Sequence, residues 1–535
     1  MKDVDVVVVG SGVGGMTAAV ALARAGRSVL VVEQHYLPGG WCHSFPLGGY
    51  SWSPGVHYIG GLQPGGRLRA MWEGLGIADD LVMLELNPDG YDRVEIGEFS
   101  FGLPAGRERL GQRIAERFPH QASQGRSYLE TVQRIADELA AGPGRPWKMP
   151  TVLRHGLRSV ARLLDHHDVT DRRLRAVLTA QAGDHGLPPS RAPAALHAVV
   201  QAHYFDGGWY PKGGGRSIPK AMIKELKRSG GSIRVRSDVE QILVEGGRVL
   251  GVRLAGGEEI RSDVVVSNAD PATTWGRLVP RSHRPLSVRA KLRRTRWSTS
   301  AMSLFLATDL DLEAHGLDSG NTWLFSSDDM EAAWRWGSHP DPLSQPGMPP
   351  MFLTVTTLKD RGKLKKGVHT LEAFMFVDYA LFERFETSGQ GERPPEYTAL
   401  KRQLGDRMLQ GLEARIPGLS EHIVFREEGT PLTNVFYAGA TRGSLYGTEK
   451  SLLQLVPPLG WALDTPLRGL FQCGGSTLSH GVAGASESGL HAAAKVLGVK
   501  PRELLSPGAS SLTTLPADHP ERWPTGHRGR SRAVA

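Results

Sequence analysis

The chain has 535 residues, 40% of them apolar, with 66 glycines and 35 prolines, which excludes a fibrous or disordered protein and suits a loop-rich α/β enzyme of more than one domain. Lys and Arg outnumber Asp and Glu by 63 to 55, an excess too thinly spread to make nucleic acid an expected partner; attraction to an anionic membrane surface explains it as easily. Cys42 and Cys473 are the only cysteines, too few for a disulfide framework or a four-cysteine metal site. No uninterrupted apolar run approaches the ~18 residues of a spanning helix, and no charged-then-apolar leader precedes the first strand. The expected setting is a reducing cytoplasm, with peripheral contact at a membrane surface left open.

Val6–Val9 read as a buried strand that runs into Gly10-Ser11-Gly12-Val13-Gly14-Gly15 and then a helix. Gly10 permits the turn, Gly12 lets a pyrophosphate approach the backbone, and Gly15 allows close helix packing. The helix N-terminus offers N–H groups and partial positive charge to that phosphate. Val29–Val32 form a second strand ending at Glu33, an acid placed to accept hydrogen bonds from an adenosine ribose. This stretch therefore predicts dinucleotide binding.

Gly39 and Gly40 follow in Pro38-Gly39-Gly40-Trp41-Cys42-His43-Ser44-Phe45, where backbone can pass close to a cofactor. Tyr50–Gly61 mixes aromatics, His57 and glycines, a composition suited to a wall beside a flat ring system. His57 reads either as a structural hydrogen bonder or as a group beside that ring. From about 66 to 204 helical patterns dominate, at Gly66–Leu75, Arg107–Phe118, Ser127–Ala141 and Thr151–Leu164. The last carries Leu153, Leu157, Val160 and Leu164 beside Arg154, Arg158 and Arg162, so it suits a membrane surface or a core. His155, His166, His167 and His185 lack metal-ligand spacing and read as surface or loop residues, so no metal site is expected.

Phe205–Lys212 leads through Gly213-Gly214-Gly215 to a helix over about Ile218–Arg228; without a Gly-Lys-Ser/Thr ending this is not a P-loop. Ser232–Ile260 alternates with two glycine breaks, predicting a three-stranded antiparallel meander, and Asp263–Ser267 reads as a returning strand. Between about 286 and 465, strands at Ser300–Leu306, Met351–Thr357 and His369–Val377 mix with a helix near Pro395–Ile416. Phe471–Ser476 then turns at Gly474-Gly475 into a helix over Gly481–Gly498, whose small residues, Gly484 among them, let its N–H groups sit against a polar cofactor or let it pack closely on a sheet. Beyond about Leu505 the Ser-, Pro- and Arg-rich composition predicts a flexible tail.

Together these motifs resemble the flavin amine-oxidase-type superfamily, in the branch of phytoene desaturases, carotenoid isomerases and retinol saturases. The resemblance spans Val4 to about Val499. It is carried by Gly39–Phe45, Gly55-Val56-His57-Tyr58-Ile59-Gly60, Tyr210-Pro211-Lys212-Gly213-Gly214 and Pro431–Gly447. It implies a discontinuous Rossmann-type FAD-binding domain with a β-meander (1–65, 205–285 and 466–500) and an inserted α+β substrate domain (66–204 and 286–465); the tail expected from composition then occupies 501–535. It further implies non-covalent FAD, with Glu33 on the ribose, Val239 near adenine, Ser44 among the cofactor contacts, and the helix after Gly474-Gly475 closing on pyrophosphate and ring. The arginine that many amine oxidases carry before the paired glycine is absent; Leu37-Pro38 stand there.

The implied activity is oxidation or reduction of a C=C/C–C bond in a lipophilic polyene, with His57, Tyr58 and Tyr210 as polar groups near the reacting bond. A redox-neutral cis–trans isomerase using reduced FAD and a non-enzymatic lipid carrier are the alternatives. No second dinucleotide fingerprint follows a strand, so electrons are expected to pass to or from a separate quinone, oxygen or NAD(P)H-linked partner.

Overall fold

The computed structural model describes residues 3–142, 148–387, 392–455 and 459–527. Among these, Val6–Val9, Val29–Val32, Ser232–Arg234, Val264–Ser267 and Leu470–Gln472 form a five-stranded parallel sheet. Its order places Leu470–Gln472 beside Val264–Ser267, then Val6–Val9, Val29–Val32 and Ser232–Arg234. The β-branched runs are buried on both faces, as a parallel sheet covered by helices requires. Helix Val13–Arg24 packs against helix Gly481–Leu497 so closely that a Cβ on Gly489 would fall 2.0 Å from the Gly14 carbonyl oxygen.

The meander forms within the expected stretch, from Val239–Glu245, Arg248–Leu254 and Glu259–Arg261. Ser232–Arg234, at its start, joins the parallel sheet instead, pairing with Leu30–Val32. A second, seven-stranded sheet runs Ile423–Gly429, Ser300–Thr308, His369–Val377, Met351–Val355, Asn321–Phe325, Asp92–Ile96 and Phe99–Leu103. Its last two strands come from the segment whose sequence reads as helical; they are five residues each, too short to stand out between longer amphipathic patterns.

Thr151–Leu164 is not one helix. A π-helical turn over Val152–Gly156 is followed by a break, and helix Val160–His166 restarts where the Ser159 side chain accepts from the Arg162 N–H. Val160 and Leu164 are therefore buried, while Leu153 and Leu157 stay 61% exposed. His155 and His185 are buried rather than at the surface, His185 sharing a 3.1 Å hydrogen bond with His197.

The 501–535 tail also departs from expectation, although 528–535 lie outside the described residues. Thr513–Pro516 pairs in parallel with Val82–Glu85, which pairs in turn with Trp209–Pro211. Trp523 packs with Leu84, Leu515 and Ala517, donates its indole N–H to the Pro516 carbonyl at 2.6 Å and lies under the Lys212 ammonium at 5.0 Å. A strand of four residues gains its order from a partner more than 400 positions away, which local composition does not register. Trp523→Ala is expected to cost about 3–5 kcal/mol of stability; an unchanged denaturant midpoint would return the segment to the status of a loose tail.

Candidate active site

A single cavity of about 1280 Å³ begins at the first glycine turn and continues between the two sheets. Gly10, Gly12, Gly14, Glu33, Gly39, Gly40, Val239, Gly474, Gly475 and Gly484 line it, as do His57 and Tyr58. Residues read from six separate stretches of chain therefore share one space. Gly15 lies behind the turn, where a Cβ would meet the Gly10 carbonyl oxygen at 2.3 Å, so it serves the packing of the turn rather than the lining. Ser44 is also outside the lining: its hydroxyl accepts from the Arg216 N–H at 3.2 Å and steadies the second glycine run.

The cradle fits a dinucleotide. A Cβ at Gly12 would sit 2.6 Å from the Asn268 amide nitrogen, and one at Gly14 would sit 2.9 Å from the Ala485 carbonyl and 3.0 Å from the Gly474 Cα. The N-terminal turns of two long helices thus converge on a trough that only glycine backbone leaves open. Glu33 accepts from the Ser11 N–H and hydroxyl at 2.8 and 2.6 Å and from the His35 N–H at 2.8 Å, which aims its carboxylate at the cavity. Asn268, read from sequence as part of a turn, is the side chain against which Gly10, Gly12, Gly14 and Gly474 all close.

At the far end the wall is aromatic. His57 lies over Phe374 at 5.8 Å, Phe352 stacks on Phe374 at 4.9 Å, and Tyr58 stacks on Tyr204 at 4.3 Å. His57 Nδ1 stands 3.2 Å from Glu372 Oε2, out of hydrogen-bond alignment, while Glu372 Oε1 accepts from the Ser53 N–H at 2.9 Å. Tyr210 does not reach this wall. It is fully buried outside the lining, with Lys363 Nζ 3.3 Å from its hydroxyl and the Lys359 ammonium over its ring at 5.5 Å. Its place in a three-stranded sheet, paired with Leu84, turns the ring away from the cavity.

Sequence reasoning missed a polar cluster behind Tyr58. The Tyr58 hydroxyl is 2.6 Å from Asp184 Oδ2 and 2.9 Å from Asp92 Oδ2. Asp92 also accepts from Gln181 Nε2 and Asn321 Nδ2, each at 3.0 Å, and the buried Lys359 ammonium donates to Asn321 Oδ1 and, at 2.7 Å, to the His57 carbonyl. Burial lowers Lys359 to about 7 and raises Asp92 to about 6; burial and then the Asp92 charge push Asp184 up to about 8. The one local sign was an acid and a histidine between glycines, Gly183-Asp184-His185-Gly186, inside an otherwise helical segment. Among the described residues no group of three or more His, Cys, Asp or Glu side chains could hold a metal ion, and no helix is long and apolar enough to cross a membrane.

Residues 13–373 match the family model described as flavin containing amine oxidoreductase. The chain is 28% identical over 531 residues to the all-trans-retinol 13,14-reductase of Danio rerio, covering 93% of this chain and 86% of that protein. It is 28% identical over 489 residues to the zeta-carotene-forming phytoene desaturase of Myxococcus xanthus, covering 88% and 89%. Among solved structures, an oxidoreductase from Methanosarcina mazei superposes with a TM-score of 0.62 at 15% identity, over 91% of this chain and 99% of that one.

Proposed function

The chain belongs to the flavin containing amine oxidoreductase family, and from that premise we propose that it is an FAD-dependent oxidoreductase of C=C/C–C bonds in a lipophilic polyene: a carotenoid, a retinoid or another isoprenoid chain. The observation that carries this reading is the continuity of one cavity from the glycine cradle to the aromatic wall of His57, Phe352, Phe374, Tyr58 and Tyr204. Its volume exceeds the ~300–1,000 Å³ of ordinary small-molecule sites and suits a dinucleotide with an apolar chain beside it. Of the relatives named above, one is a reductase of all-trans-retinol and the other a desaturase that forms zeta-carotene from phytoene.

In this reading the cradle of Gly10, Gly12, Gly14, Gly39, Gly40, Gly474, Gly475 and Gly484 holds the pyrophosphate side of FAD, Glu33 takes the ribose and Val239 flanks adenine. Bound flavin supplies two-electron hydride chemistry. The protein's part is to lay the polyene along the aromatic wall, keep water from it, and present His57 and Tyr58 at the reacting bond. Ser44 and Tyr210 support the second glycine run and the lysine pair from behind.

FAD is held without a covalent bond. Burial raises the Cys42 thiol to about 12 and pushes the Cys473 thiol upward too, so neither cavity thiol ionises to attack a ring. Acid precipitation of the yellow protein is therefore expected to release all flavin colour to the supernatant; colour retained in the pellet would mean a covalent link. Electrons pass to or from a separate quinone, oxygen or NAD(P)H-linked partner. The exposed Leu153 and Leu157 with Arg154, Arg158 and Arg162 support contact with an anionic bilayer surface, from which a polyene would enter.

The test is incubation of the flavin-loaded protein, oxidised and reduced, with a panel of polyenes in detergent, and mass analysis of products. A two-hydrogen change supports the redox reading, an unchanged mass with altered double-bond geometry replaces it with isomerisation, and no product from any polyene removes it.

A further inference from the structure

We propose that Asp184 is the group that exchanges the proton with the polyene, at the carbon adjacent to the one that exchanges hydride, and that Tyr58 and Asp92 hold it in its acid form. This rests on the polyene oxidoreductase reading and adds to it the missing half of the chemistry. Saturating a C=C bond forms two C–H bonds: the hydride, with its two electrons, comes from the reduced flavin, and the second hydrogen arrives as a proton from an acid. Desaturation runs the same transfers in reverse, with the carboxylate as base.

The assignment comes from counting hydrogens. Tyr58 Oη has one hydrogen and two carboxyl oxygens within 2.9 Å. Asp92, 0% exposed, is raised by burial to about 6, below Asp184, and already accepts from Gln181 and Asn321, hydrogen bonds that favour its carboxylate; of the two acids it ionises first and takes the phenol hydrogen as well. Asp184 Oδ2 can then sit 2.6 Å from the phenol oxygen only as a donor, with its carboxyl protonated. Its side chain has no other hydrogen bond among the described residues, and the surface it keeps faces the cavity it lines. Of the titratable groups around it, burial holds the adjacent His185 well below its ordinary value and lowers Lys450, which acts on His480, to about 7. Tyr91, Tyr204 and Tyr446 are all pushed upward by burial, and His480, lowered to about 4, donates neutrally to the Asp184 main-chain carbonyl at 2.8 Å. The upward shift of Asp184 to about 8, caused by burial and then by Asp92, agrees with this hydrogen count.

For the transfer, the carboxyl turns about its Cβ–Cγ bond to bring O–H over the cavity. The O–H bond breaks as the C–H bond forms, and the carboxylate left behind accepts the Tyr58 hydrogen. A solvent proton restores the acid when product leaves. His57, on the same wall, faces a carboxylate and ring faces rather than this donor pair.

Two measurements on the flavin-loaded protein test this. Infrared titration in H2O and D2O is expected to show a protonated carboxyl band that disappears with a midpoint near pH 8, shifts in D2O and is missing in Asp184→Asn. Mixing prereduced protein with a polyene that it converts is expected to show a rate falling tenfold per pH unit above that midpoint. In Asp184→Asn the rate is expected to drop about 100-fold or more and lose its pH dependence, while flavin content and spectrum are unchanged and Asp184→Glu recovers part of the rate. A carboxyl already ionised at about pH 6, or an Asn variant within threefold of the parent rate, overturns the proposal. The infrared titration of the parent decides it even where the Asn variant does not fold. If no polyene reacts with the parent, the functional reading falls and the proton-transfer role with it, while the carboxyl titration still reports the acid's state.

Discussion

Gly14→Ala is expected to emerge from purification without flavin. The new methyl would land 2.7 Å from Asn268 Oδ1, 2.9 Å from the Ala485 carbonyl and 3.0 Å from the Gly474 Cα, and two of those three are backbone that cannot swing aside. Helix Val13–Arg24 and helix Gly481–Leu497 would have to separate where their first turns meet at the glycine trough. Overpacking of this kind costs about 1–3 kcal/mol in stability, and the displaced turns should weaken flavin binding by about 100-fold, roughly 2.7 kcal/mol. Gly111→Ala is the control. Its Cβ would meet nothing within 4 Å, inside helix Arg107–Arg117, so it is expected to keep its flavin and gain up to about 1 kcal/mol. Absorbance ratios at the flavin and protein bands read the outcome; a fully loaded Gly14→Ala protein would dissociate the cradle from cofactor binding.

The second large effect is one of pH on stability. Asp184→Asn is expected to become progressively more heat-stable, relative to the parent, as pH rises from about 4 to about 8, and to hold that advantage above it. The sign follows from the raised acid. Its carboxyl holds a proton in the folded protein up to about pH 8, whereas in the unfolded chain it loses that proton near its ordinary value of about 4. Within this window unfolding releases a proton, so alkali favours unfolding: the parent's stabilisation is complete below the unfolded value and is gone once pH passes the folded one. Asparagine does not titrate and keeps the shape. Melting temperatures of the two proteins at about pH 5, 7 and 9 check this, and parallel curves would mean that Asp184 ionises as an exposed carboxyl does.

The parts of the molecule legible in the chain are those governed by neighbours in sequence. Val6–Val9, the glycine turn and Glu33 could be read because a buried parallel strand, a tight turn and a strand-end acid all lie within 33 residues of the start. Helices such as Pro395–Arg415 were legible within a residue or two because their apolar period repeats over several turns. The helix expected over Thr151–Leu164 was not, since a continuous apolar stripe hides a serine cap that interrupts it. Tyr210 illustrates the same limit at the site: its motif was recognisable, but pairing with Leu84 decided which way its ring points.

The sequence by itself determined a dinucleotide fold, because the conformational freedom of glycine and the alternation of strands are properties of adjacent residues. Only the tertiary structure decided the chemistry at the other end of the cavity. Tyr58 meets Asp92 across 34 positions and Asp184 across 126, and Thr513–Pro516 finds its strand partner across most of the chain. A carboxyl's proton affinity depends on the solvent it has lost and the charges it faces, and both are set by packing between segments that the linear order keeps far apart.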